Sequence, residues 1–247
     1  YISDWVNGWA MTGKGRIYRI AKPNQTLGNA PSVQELFRKG FEKINAIGLR
    51  NLLSHPDMRV RQAAQFQLVA KADTKSLGGI ARQGKGLARL HAVWGLGQLA
   101  RDGQNHDGAL VPLLSDADGE VQTQAAKMLG EARSKAAVPG LIKLLGSDNA
   151  RAQAQAAIAL SKIGGNYTDA VVAMLRRNDD SDPIVRHGGI MALQALGKAL
   201  PVAQLSRDKS AAVRLAALIA LRREGNPAVA TFLADAQPHI VLEAARA

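Results

Sequence analysis

Apolar residues recur in this chain at i, i+4, i+7 and i+8 over short stretches. Val121, Ala125, Met128 and Leu129 make one such set, and Val213, Ala217, Ala220 and Leu221 make another. That spacing gathers them on one face of a helix. Ahead of such a stretch lies a shorter Leu-rich run, as in Leu110, Val111, Leu113 and Leu114. A polar turn joins the two: HPD, DADG, SDN or DSDP in different parts of the chain. Asp and Asn in these turns are suited to accept from the unpaired N–H groups that open the next helix. The predicted unit is therefore a short helix, a capped turn and a second, longer helix.

The unit repeats. LRNLLSHPDMRVRQAAQFQL (49–68), LVPLLSDADGEVQTQAAKMLG (110–130) and LIKLLGSDNARAQAQAAIAL (141–160) align with Val60, Val121 and Ala152 at one position, 11 residues after the opening Leu. Looser copies place Ala88, Val185, Val213 and Ile240 there. We call this position 0. Successive spacings are 28, 33, 31, 33, 28 and 27 residues, a period that signals stacked supersecondary units. Position +4 holds a small residue in Ala64, Ala125, Ala156, Gly189, Ala217 and Ala244, which predicts close approach of neighbouring helices. No unit can bury its apolar face alone, so the units should stack. The fold expected is all-α, a right-handed α-solenoid of about seven helix pairs over 34–247.

Residues 1–20 break the pattern. YISDWV and GRIYRIA are strand-like, with Ile17 and Ile20 set among Arg and Tyr, and they predict a short β ribbon. A two-stranded ribbon is marginal alone, so a further partner is expected for it. Residues 21–33 read as a linker. The chain opens on Tyr1 rather than Met and ends in IVLEAARA, and we expect it to be a piece of a longer protein.

Composition changes this picture little. Apolar residues make up 47% but aromatics only 4%, so Ala and Leu must fill the core. With no cysteine, disulfides, thiolate metal sites and covalent haem attachment are excluded. No apolar run is long enough to span a membrane as a helix. Charge is uneven: residues 1–105 carry 16 basic and 6 acidic residues, and residues 106–247 carry 16 and 14. A basic first half is compatible with nucleic acid, an anionic surface or an acidic partner domain.

The candidate chemistry is sparse. The five histidines form no recognisable metal spacing, and no catalytic triad or paired carboxylates stand out. His91 and His187 sit early in their second helices, where both could face the groove of the solenoid. Arg61, Arg89, Arg186 and Arg214 share position +1 and would form a stripe able to grip phosphates or an acidic domain. The alternative for the stripe is pairing inside each unit with helix-end carbonyls and with turn Asp residues, as in Asp57 with Arg61, Asp182 with Arg186 and Asp208 with Arg214. Gln122 and Gln153 replace Arg in two units, which would break such a ladder mid-array. Phe66 and Trp94 share position +6, and core packing is the expectation for Trp94. These six residues (Arg61, Arg89, His91, Arg186, His187 and Arg214) are the candidate partner-binding set. No catalytic, cofactor or metal residue is assigned.

The turn Asp and the Arg after position 0 resemble HEAT repeats of the short bacterial type. Several longer motifs extend the resemblance: SDW followed by GKGRIYRI, HPDMRVRQAAQF (55–66), LARLHAVWGLGQLA (87–100), DPIVRHGGIMAL (182–193) and VRLAALIALRR (213–223). Together they resemble the large membrane-bound dehydrogenases that join a glucose/sorbosone-dehydrogenase-like propeller, HEAT repeats and a c-type cytochrome domain. The resemblance implies a non-catalytic scaffold, the middle module of an exported, periplasmic redox protein. Its partners would be the propeller, against which Trp5 and Trp9 would pack, and the cytochrome. The chain carries no CxxCH, so no haem belongs to it. Two other readings remain: a nucleic-acid-binding repeat protein using a basic groove, and an enzyme like the bilin lyases, whose thiol-dependent route the lack of Cys excludes.

Overall fold

The structure is a computed structural model that describes residues 2–5, 15–18, 33–103, 106–196 and 202–247. They fall into two units, Tyr1–Gly40 and Phe41–Ala247. In the first, β1 (Ile2–Trp5) and β2 (Gly15–Tyr18) pair antiparallel, with Ile2 opposite Tyr18 and Trp5 opposite Gly15. This is the ribbon that the alternation in GRIYRIA predicts. Ile17 and Tyr18 are exposed on it. Helix α1 (Val33–Lys39) belongs to the same unit. Trp9 and most of the expected linker lie outside the described residues.

The second unit is a stack of helix pairs. Helix α2 (Ala46–Leu52) pairs with α3 (Met58–Ala70), and α4 (Thr74–Gln83) with α5 (Gly86–Arg101). Next come α6 (Asp107–Leu110), continued by a 3-10 segment Val111–Ser115, and α7 (Gly119–Glu131). A 3-10 turn, Lys135–Ala137, leads into α8 (Val138–Leu144), which pairs with α9 (Ala150–Ile163). Helix α10 (Thr168–Asn178) pairs with α11 (Pro183–Leu196). In the last two units the first element is a 3-10 segment, Val202–Arg207 before α12 (Ala211–Arg223) and Pro227–Ala234 before α13 (Pro238–Ala245). Among the described residues this makes seven pairs, and the chain is the α-solenoid its period predicts.

The stack has two layers. Each of the second helices, α3, α5, α7, α9, α11, α12 and α13, packs on the next in chain order. The first elements form the other layer. Between them lies the core predicted from the repeat. The opening Leu49, Leu110 and Leu141 are fully buried, as are the triplets Val60, Ala64, Leu68 and Val121, Ala125, Leu129 at positions 0, +4 and +8. Turn residues cap four of the second helices, α3, α7, α9 and α11. Asp57, Asp118 and Asn149 accept from the backbone N–H two residues on, at 2.8, 2.8 and 3.0 Å, and Asp182 accepts from Ile184 N–H at 2.7 Å.

Close approach between neighbouring second helices is set by glycines outside the +4 row. A Cβ on Gly188 would lie 2.8 Å from the Ala154 backbone on α9, and one on Gly130 would lie 2.7 Å from Ala159 Cα. Gly189, at +4, instead faces Leu175 of its own pair. Gly189 thus serves packing within a pair, and Gly130 and Gly188 serve stacking between pairs.

Candidate functional site

The four arginines at position +1 do not form a free stripe. Arg61 Nη1 donates to the carbonyls of His55 and Pro56 at 2.7 and 2.8 Å. Arg214 Nη1 donates to Asp208 O at 2.9 Å, and Arg186 Nη1 to the Asp180 carboxylate at 2.6 Å. Each of these three reaches the residue six positions earlier. Gln122 does the same, to Asp116 O at 2.7 Å, and so does Gln153, to Ser147 O. The bond that closes the turn is therefore kept at Gln122 and Gln153, where no Asp–Arg pair can form, because either side chain supplies the N–H. The carboxylates expected to pair with arginine do other work. Asp57 binds Arg59, which holds its carboxyl at about 2, and Asp182 caps α11.

Two of these arginines also join neighbouring units. Arg89 donates to both oxygens of Asp116 in the next turn, and Arg214 binds Asp235 through Nε–Oδ2 at 2.7 Å and Nη2–Oδ1 at 3.0 Å. Arg176 makes a similar bridge to Asp208. The side chains of Arg89 and Arg214 are only 14% and 12% exposed. What the repeat writes at +1 is a turn clamp and inter-unit fastener.

His91 and His187 part company. His187 is exposed, whereas His91 is buried between α3 and α5. Its Nε2 accepts from Arg61 Nε at 3.2 Å, and an arginine nitrogen can only donate. The ring proton therefore sits on Nδ1, which donates to Gln65 Oε1 at 2.7 Å. Gln65 Nε2 then donates to Gln98 at 3.1 Å. One chain of bonds, Arg61–His91–Gln65–Gln98, fastens the first two second helices together.

Burial, helped by the Arg61 charge, pulls His91 down from 6.5 to about 4. The fold thus favours the neutral ring. The stability it brings is intact above pH 6.5 and drains away as pH falls toward about 4, a loss of up to roughly 3 kcal/mol. His91→Leu should flatten this limb of a stability-versus-pH profile. At neutral pH it should cost about 2 kcal/mol, because a buried charge-assisted bond to Arg61 is left without its acceptor. Denaturant melts of both proteins across this range check both effects.

The outward face of the second helices carries what remains free. Position +6 holds Phe66, Trp94, Lys127, Ile158 and Met191 on successive helices. Trp94 was expected in the core; instead it is only partly buried, and Phe66 is 47% exposed. Leu87 and Leu90 precede Trp94 by two turns and one turn on the same face, with Leu87 51% exposed. Trp94 is held firmly. Its ring meets His91 in a T-shaped contact, with centroids 4.9 Å apart, and its indole N–H donates to Gln124 on α7 at 2.8 Å. Gln124 in turn donates to Glu120, which binds Arg151 of α9. Gln65, the neighbour of Phe66, reaches both His91 and Gln98, one turn either side of Trp94. Phe66 and Trp94 thus sit at one level on adjacent helices, on a scaffold fixed by side-chain bonds.

Among the described residues, no group of three or more His, Asp or Glu is placed to hold a metal, and no helix is long and apolar enough to cross a membrane. Similar solved structures include an engineered protein at 22% identity, covering 82% of this chain and 95% of that one, with a TM-score of 0.38. Another is the complex of CpcE and CpcF of phycocyanin lyase from Nostoc sp. PCC7120, at 19% identity over 92% of this chain and 91% of that one, TM-score 0.47. A second engineered protein has 22% identity over 82% and 97%, TM-score 0.44. No curated protein matches the chain. Residues 108–194, covering α6 to most of α11, match the family model for HEAT repeats.

Proposed function

We propose that this chain is a non-catalytic interaction scaffold that holds a protein partner on the outward face of its second helices. The observation that carries the reading is the contrast between the two surfaces. At the turns, the arginines of position +1 are bonded to carbonyls and carboxylates of the array itself. On the second-helix face, Phe66, Leu87 and Trp94 remain open to a partner. Stacked helical repeats use extended surfaces of this kind for binding, and rigid aromatic residues on such surfaces make effective anchors. Phosphate binding draws less support, because each +1 arginine is already bonded to carbonyls or carboxylates within the array.

The sequence motifs add a more specific reading. They support a place as the middle module of an exported, periplasmic protein that joins a dehydrogenase propeller to a cytochrome, with the solenoid setting their separation. The test is the intact mass of the natural gene product purified from its source, together with a haem stain. A mass far above 26.2 kDa with covalent haem is expected. A product near that mass without haem would remove the redox context and leave the general scaffold role standing.

A further inference from the structure

We infer that the partner segment seated on the second-helix face is an acidic amphipathic peptide, with apolar anchors against Phe66, Leu90 and Trp94 and carboxylates against Lys127 and Lys162. This rests on the scaffold reading and names its partner's chemistry.

Charge complementarity around an apolar patch identifies the partner's chemistry. The outward face carries Phe66 on α3, beside the exposed Gln62 and the Asp57-bound Arg59, and Leu87, Leu90 and Trp94 on α5. On α7 and α9 it turns polar: Glu120, Gln124, Lys127 and Glu131 on one helix, and Arg151, Gln155, Ile158 and Lys162 on the other. The acidic members are already neutralised. Glu120 binds Arg151 at 2.8 Å and Glu131 binds Arg101 at 3.0 Å. Lys127 and Lys162 are exposed and have no ion-pair partner among the described residues. The free charge beside the patch is therefore positive. Lys127 lies one turn beyond Gln124, the residue that holds the Trp94 indole, so the first cation stands next to the aromatic anchor. A peptide with carboxylates flanking its apolar face meets both features. A basic peptide would meet like charge, which costs affinity and specificity.

The test uses the full chain with Trp5→Phe and Trp9→Phe, leaving Trp94 as its one indole. The probe is a synthetic amphipathic peptide with Leu and Phe on one face and Glu on the other, titrated at low salt while Trp94 emission is followed. A saturable shift is expected. Lys127→Glu combined with Lys162→Glu should weaken binding about 10-fold, and raising salt should shrink that difference. Phe66→Ser should weaken it independently of salt. These side chains are at least partly exposed, and unchanged melting temperatures would show the variants folded. No binding, binding indifferent to the lysine reversals, or preference for the same peptide with Lys in place of Glu would overturn the inference. So would a single-stranded DNA oligomer bound through the same lysines. A cross-link from Phe66 to a protein partner in the natural protein, alongside failure of the peptide, would sink this inference alone. Failure of both would remove the scaffold reading too.

Discussion

Arg214→Ala is expected to destabilise the C-terminal end of the array by about 3 kcal/mol, with α12 and α13 opening before the rest. The guanidinium bridges two units. It grips Asp235 with two bonds and closes its own turn through Asp208 O at 2.9 Å and Lys209 O at 3.2 Å. Its removal leaves the Asp235 carboxylate, whose side chain is 3% exposed, buried without a countercharge. The bond from Arg214 keeps the Asp235 carboxyl below its usual 3.8. The pair's contribution is therefore present above pH 3.8 and lost as pH falls further. Because each unit touches only its neighbours, the damage should stay local. Hydrogen exchange checks this: faster exchange in α12 and α13, with α5 and α7 unchanged. Replacing both partners by apolar residues should recover most of the loss, since the penalty comes from the stranded charge.

Gly188→Ala should cost about 2–3 kcal/mol, although alanine is the better helix former. The added Cβ would meet Ala154 Cα and O at 2.8 Å. These are backbone atoms of α9, so the helices must move apart and loosen the interface between the fourth and fifth units. Gly79→Ala is the control. Its Cβ would meet nothing within 4 Å, and the exchange should stabilise by roughly 0.5–1 kcal/mol. Chemical denaturation of the two variants gives opposite signs if stacking, rather than helix propensity, decides.

The sequence carries the solenoid because burial leaves a periodic mark. Position 0 must be apolar in each unit, and Asp57, Asp118, Asn149 and Asp182 cap four of the second helices. The side-chain destinations are less legible, for reasons that helix geometry explains. At about 100° per residue, positions 0, +4 and +8 share one face, and position +6 points away from it. The outward placement of Phe66 and Trp94 was thus implicit in the pattern. The same rule separates His91, three residues after position 0, from His187, two after it. That single step sends one ring toward α3 and leaves the other exposed. Partner choice at position +1 is different in kind. Arg61, Arg89, Arg186 and Arg214 look alike in sequence. Whether each meets a carbonyl, its own turn or the next unit's carboxylate depends on the stacking distance between units, which no local pattern encodes. Gly188 was hidden for the same reason, because its importance comes from the α9 backbone opposite it.

The central claim is that the second-helix face is the working surface. A photo-reactive residue placed at Phe66 on α3, and separately at Ile47 on α2, tests it directly. Both positions are open, at 47% and 66% exposed, but they belong to opposite layers of the stack. In the natural protein, purified and irradiated, the account predicts adducts from position 66 with a partner segment and none from position 47. Adducts from position 47 alone would place the partner on the first-helix layer and contradict it.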